Sequence, residues 1–125
     1  MNLVDTCGWL EHFSGGPNAD DYAVPFSQPD NVLVPSVCIQ EVYRHCLAWR
    51  NESDARLAVA RMRRSRVVPH DADLAILAAR LGHQHKFSFA DAIICASAQI
   101  HRATLWTQDV AFKGLPGVEY VKKKS

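Results

Sequence analysis

No charge of either sign dominates this chain of 125 residues: 14 Lys and Arg stand against 13 Asp and Glu, for a net charge of +1. Bulk attraction to nucleic acid is therefore excluded, and any such binding has to come from local placement of Arg and Lys. No apolar run approaches the roughly 20 residues that a membrane span needs. Met1 leads straight into Leu3, Val4 and Asp5, without the basic and apolar stretches of a secretory leader, so a cytoplasmic location with no membrane contact is expected. Cys7, Cys38, Cys46 and Cys95 form no CxxC pair, which leaves a thiolate zinc site or a disulfide framework without its usual spacing. They read as reduced, small apolar residues. A Gly-x-Ser-x-Gly turn and a glycine-rich phosphate loop are missing too, which removes serine hydrolases and ordinary nucleotide-binding domains.

What is present is a globular composition, 48% hydrophobic and 22% charged, at a length that makes one domain with a real core. Short apolar runs at 2–4, 32–34, 67–69, 104–107 and 118–121 are the strand candidates. Between them the spacing predicts helices: a weak one over 7–13, one over 36–49 capped by Ser36, and one capped by Ser53 with Ala55, Ala58, Val59 and Met62 as its stripe. Asp71 opens another that should stop near Gly82, and Ser88 caps a last one over 89–100. That last helix is apolar nearly all round and is expected to be central and buried. Ala19, Tyr22, Ala23 and Phe26 share a helical face, interrupted by Pro25. The tail of Lys122, Lys123, Lys124 and Ser125 is expected to fray. The alternation predicts a single α/β domain over 1–125, with a mostly parallel central sheet of four to five short strands flanked by helices.

In such folds ligands bind beyond the carboxyl ends of the strands. Asp5 ends the first strand, and Asp109 lies two residues past the fourth. Glu41 sits in the second turn of the helix after the second strand. Asp91 occupies the first turn of the apolar helix, where burying an unpaired charge is costly. Taken singly, each acid has a plain structural explanation: Asp5 and Asp91 as helix caps, Glu41 as a solvated residue, Asp109 as a turn former. Their convergence is what points to chemistry. Carboxylates without His or Cys partners suit a hard cation such as Mg²⁺ or Mn²⁺, which takes oxygen ligands and serves phosphate substrates.

At these residues the sequence resembles the PIN-domain nucleases, and specifically the VapC-type toxins of bacterial toxin–antitoxin pairs. The resemblance lies in Leu3-Val4-Asp5-Thr6, in Pro35-Ser36-Val37 through Glu41-Val42-Tyr43, in Phe89-Ala90-Asp91-Ala92-Ile93-Ile94, and in Leu105-Trp106-Thr107-Gln108-Asp109 with Phe112 and Pro116-Gly117. It spans nearly the whole chain. It implies a Mg²⁺- or Mn²⁺-dependent endoribonuclease cleaving RNA by metal-activated water, with Asp5, Glu41, Asp91 and Asp109 as both the catalytic and the metal-binding set. Asp109 is the member that varies in the family and acts there through water in some cases. Thr6 and Thr107 would orient a carboxylate or a metal-held water. Cys7 departs from the Ser often found after Asp-Thr. A cognate VapB-like antitoxin and toxin homodimers are implied as partners.

Arg61, Arg63, Arg64 and Arg66 form the most basic stretch, readable equally as an RNA or antitoxin surface or as a solvated helix face. Arg44, Lys86 and Lys113 lie near motif acids in sequence and are candidates for phosphate contact. His83 and His85 are spaced so that their rings diverge, and Asp71 after His70 is explained as a cap. Other functions share this outline. A PIN-type nuclease of RNA processing has no toxin role. A phospho-acceptor receiver needs paired acids after the first strand, where Val4 and Thr6 flank Asp5 instead. A binding module that has lost catalysis would not need all four acids.

Overall fold

Every strand anticipated from an apolar run is present: β1 (Asn2–Val4), β2 (Val32–Pro35), β3 (Arg66–Val68), β4 (Thr104–Thr107) and β5 (Val118–Tyr120). The structure, a computed structural model, describes residues 1–124. The strands form one sheet in the order β3-β2-β1-β4-β5, and every pairing is parallel. Leu3 lies opposite both Leu33 and Leu105. Val32, Leu33 and Val34 are all fully buried. Successive strand residues point to opposite faces, so both faces of β2 are covered, as parallel sheets require.

The covering elements are α1 (Thr6–Ser14), α2 (Ala23–Phe26), α3 (Ser36–Trp49), α4 (Glu52–Met62), α5 (Ala72–His85) and α6 (Phe89–Ile100). Helix α3 packs on α4, α1 and α6, while α5 packs on α6. Helix α1 lies close on β1 because Gly8 faces it: a Cβ there would collide with Val4 Cγ1 and stand 2.7 Å from Tyr22 Cε1. A 3₁₀ turn over Ala19–Tyr22 leads into α2. Pro25 is tolerated there because a first-turn residue has no intrahelical acceptor to lose. No described helix is long and apolar enough to cross a membrane.

Several local expectations are corrected. Ser36 is the first helical residue, not the cap: Pro35 is extended at the N-cap, and the Ser36 hydroxyl donates to Val68 O at 3.2 Å, tying α3 to β3. Asn51, not Ser53, caps α4, accepting from Asp54 N at 2.8 Å. Helix α5 continues through Gly82 to His85, since that glycine serves packing, with a Cβ there only 3.3 Å from Ala92 Cβ. The left-handed residue that ends α5 is Lys86. Helix α6 buries Ala92, Ile93, Ile94, Ala96, Ser97 and Ala98 but leaves Phe89 77% and Ile100 48% exposed. The expected fraying does not hold at Lys122 and Lys124, whose backbones are bonded to the buried Asn18 side chain. Ser125 lies outside the described residues.

A candidate acidic active site at the carboxyl edge

The strand order fixes where a cleft can form. From β1 the chain winds outward through β2 to β3, then returns to β4 on the other side of β1 and continues to β5. The winding reverses between β1 and β4, so the connections leaving those strands diverge and open a crevice at their carboxyl ends. Asp5 follows β1 and Asp109 follows β4, which puts them on either side of it. Helix α6 feeds β4, so its N-terminus, with Asp91, lies at the same edge, and α3 brings Glu41 from the β2 side. All four acids line one cleft of about 340 Å³, together with Thr6, Cys7, Leu10, Gln108 and Lys123.

Two hydroxyls aim the acids. Thr107, fully buried, donates to Asp5 Oδ2 at 2.7 Å and accepts from Asp109 N at 3.0 Å. Thr6 donates its hydroxyl to Glu41 Oε1 at 2.6 Å, while its N–H bonds to Asp5 Oδ1 at 2.7 Å. Asp5 thus caps α1 and is held from both sides. Asp109 Oδ1 accepts from Ala111 N at 2.9 Å, capping a short 3₁₀ turn. Asp91 N is bonded to Ser88 Oγ at 3.2 Å. The cap role foreseen for Asp5 is real and Asp109 caps its turn, both coexisting with convergence, whereas Asp91 is not the cap of α6, since Ser88 holds that position.

The acids disturb one another. Burial pushes the Asp5 carboxyl up to about 6; its bonds from Thr107 and Thr6 pull it down, and the Glu41 and Asp109 charges push it up. Asp91 is also raised to about 6, by burial first and then by the charges of Asp109 and Asp5, although Ser88 lowers it. A helix N-terminus ordinarily favours an anion. Here desolvation and like charge win over it. Burial and the Asp5 charge push the Cys7 thiol up to about 11, so near neutral pH it is an inert thiol beside the acids.

The basic candidates fall elsewhere. Arg44, Arg63, Arg64 and Lys86 are exposed and outside the cleft lining. Lys113 stands 5.3 Å over the Tyr120 ring. Arg61 lines a second cleft, of about 490 Å³, with Leu10, Phe13, His45, Cys46 and Leu57. His83 and His85 are exposed at the end of α5. Gln108 and Lys123 went unnoticed in the sequence. Gln108 had a usable signal, since it sits between Thr107 and Asp109. Its Oε1 accepts from the buried Tyr22 hydroxyl at 3.2 Å.

The donor chemistry fits a hard divalent cation. Every acid offered to the cleft is a carboxylate, and their mutual repulsion is what a cation would relieve. Among the described residues no three His, Cys, Asp or Glu side chains close into a ready-made ligand cluster. Mg²⁺ and Mn²⁺ take oxygen ligands and keep several waters when bound by a few carboxylates.

A parallel α/β domain with carboxylates from four elements meeting at its switch point is thus the class that fold and site define. The chain belongs to the PIN-domain family, whose model matches residues 3–118. Among solved structures, a chain of a toxin–antitoxin complex from Klebsiella pneumoniae is 28% identical over 95% of this chain and 96% of its own, with a TM-score of 0.79. The sarcin–ricin loop cleaving toxin VapC20 of Mycobacterium tuberculosis is 19% identical over 90% and 92%, with a TM-score of 0.74. A chain of VapBC2 from Rickettsia felis, bound to a promoter DNA fragment, is 14% identical over 95% and 97%, also with a TM-score of 0.74. These last two speak for the fold alone. No curated protein sequence matches the chain.

Proposed function

We propose that this protein is a divalent-metal-dependent endoribonuclease and the toxin of a toxin–antitoxin pair. The observation that carries the reading is the meeting of Asp5, Glu41, Asp91 and Asp109 in one cleft, with Thr107 and Thr6 fixing one oxygen each of Asp5 and Glu41. These acids would hold Mg²⁺ or Mn²⁺. When bound, the cation supplies neutralisation of the phosphate and activation of the attacking water. The chain itself supplies position: Thr107 links Asp5 to the Asp109 backbone, so the two sides of the switch point keep a fixed separation. Hydrolysis adds water across one P–O bond of the RNA backbone and leaves the strand in two pieces.

The toxin assignment is supported by the 28% identity, over nearly the whole length, to a chain from a toxin–antitoxin complex. A VapB-like antitoxin, an RNA substrate and a second copy of the chain are the proposed partners. Leu10 lines both the acid cleft and the Arg61 cleft, so a protein seated in the second would border the first. The test is cleavage of RNA with Mg²⁺ or Mn²⁺, after EDTA, and after metal is restored. Cleavage should appear, stop and return. Cleavage that persists in EDTA refutes the reading, and an upstream-encoded partner that leaves cleavage untouched refutes the toxin role.

A further inference from the structure

The three lysines after β5 have the look of a solvated charge run, and the structure holds them otherwise. Asn18 is fully buried, and its amide brackets Lys123: Nδ2 donates to Lys122 O at 2.9 Å, and Lys124 N donates to Oδ1 at 2.8 Å. On one side, buried Val121 donates its N–H to Thr107 O at 2.7 Å. On the other, Lys124 Nζ lies 2.9 Å from Asp21 Oδ2. Ordering backbone costs conformational entropy, and a buried amide that satisfies two backbone groups is a specific device for offsetting it. The residue so placed is Lys123, which lines the acid cleft with Asp5, Asp91, Gln108 and Asp109. Among the described residues it makes no ion pair.

We propose that Lys123 binds a backbone phosphate of the RNA at this cleft, with Asn18 as the residue that positions it. The ligand rests on the nuclease reading; the placement does not. Apart from Lys123, the charged side chains lining the cleft are all carboxylates, which repel a phosphodiester. A flexible stem carrying a point charge is suited to a phosphate oxygen. The other basic candidates do not reach this lining. The turn that carries Asn18 also carries Tyr22, which holds Gln108, so one short segment orders both non-acidic hydrogen-bond donors beyond the hydroxyls and the thiol.

The experiment is fluorescence anisotropy of a short single-stranded RNA over a salt series in Ca²⁺, paired with cleavage kinetics in Mn²⁺. Lys123→Ala should weaken binding several-fold and reduce the slope of log affinity against log salt by about 0.7, one phosphate contact on a single strand. KM should rise with kcat within about twofold, as for a contact made equally before and during reaction. Lys123→Arg should restore the slope. Asn18→Ala should reproduce the loss with the lysine intact; if that variant does not fold, the exposed Lys123 decides alone. An unchanged slope and KM in Lys123→Ala overturns the proposal, as does tighter Mn²⁺ binding with faster cleavage, which would make the lysine a plug. Wild-type protein that fails to bind RNA overturns it as well. Binding with the expected slope but no cleavage supports the contact and refutes the nuclease reading.

Discussion

Thr107 connects more of the site than any of the acids it serves. Its hydroxyl donates to Asp5 and accepts from Asp109 N, and it has no exposure to water. Thr107→Val keeps the shape and strands both partners, which should cost about 1–3 kcal/mol of stability and most of the activity, while Thr107→Ser keeps both. Equal activity in the two variants would contradict this. The acids give a pH signature. Asp5 and Asp91 both stand near 6 against an ordinary 3.8, so the folded protein holds protons that the unfolded chain has released. Their contribution to stability is fully present below about pH 4 and is lost as pH rises through 6. For Asp5 alone the shift corresponds to about 3 kcal/mol. Urea unfolding in EDTA should therefore show metal-free protein losing stability from pH 4 to pH 8. Asp91→Asn should be more stable than wild type at pH 8 and show a shallower loss; an identical pH dependence would contradict it.

At the scale of elements, close approach matters as much as periodicity. Helix α1 delivers Thr6 to Glu41 only because Gly8 lets it lie on β1 and Tyr22. Gly8→Ala should destabilise by about 1–3 kcal/mol, read from the urea midpoint, because the added methyl forces α1 off the sheet; an unchanged midpoint would contradict the packing. The strands were legible because each is a short apolar run, buried on both faces in β2 and partly exposed in β3 and β5. The helix ends were not. Asn51 and Ser53 are equally good caps by residue type, and only the extended backbone at Asn51 selects it. Gly82 resembles a stop signal and is a packing contact. Phe89 fits an apolar helix by composition, yet it lies on the side that no other element covers.

For the whole molecule, the sequence supplied acids near strand ends, and the strand order gave them a common location. That β1 lies between β2 and β4 follows from no local pattern. Asp5, Glu41, Asp91 and Asp109 were legible as candidates because residue type, position near the carboxyl edge and the family resemblance all singled them out, and they line one cleft. Lys123 and Asn18 were not, since their link bridges over a hundred residues and neither residue type announces it. Titration of Mn²⁺ into metal-free protein by calorimetry at pH 7.5, for wild type and for Asp91→Asn, tests the central claim most directly. The account predicts saturable binding to wild type and at least about tenfold weaker binding to the variant, as expected when one ligand of a small carboxylate set is lost. No binding to wild type, or equal binding to both, would contradict it.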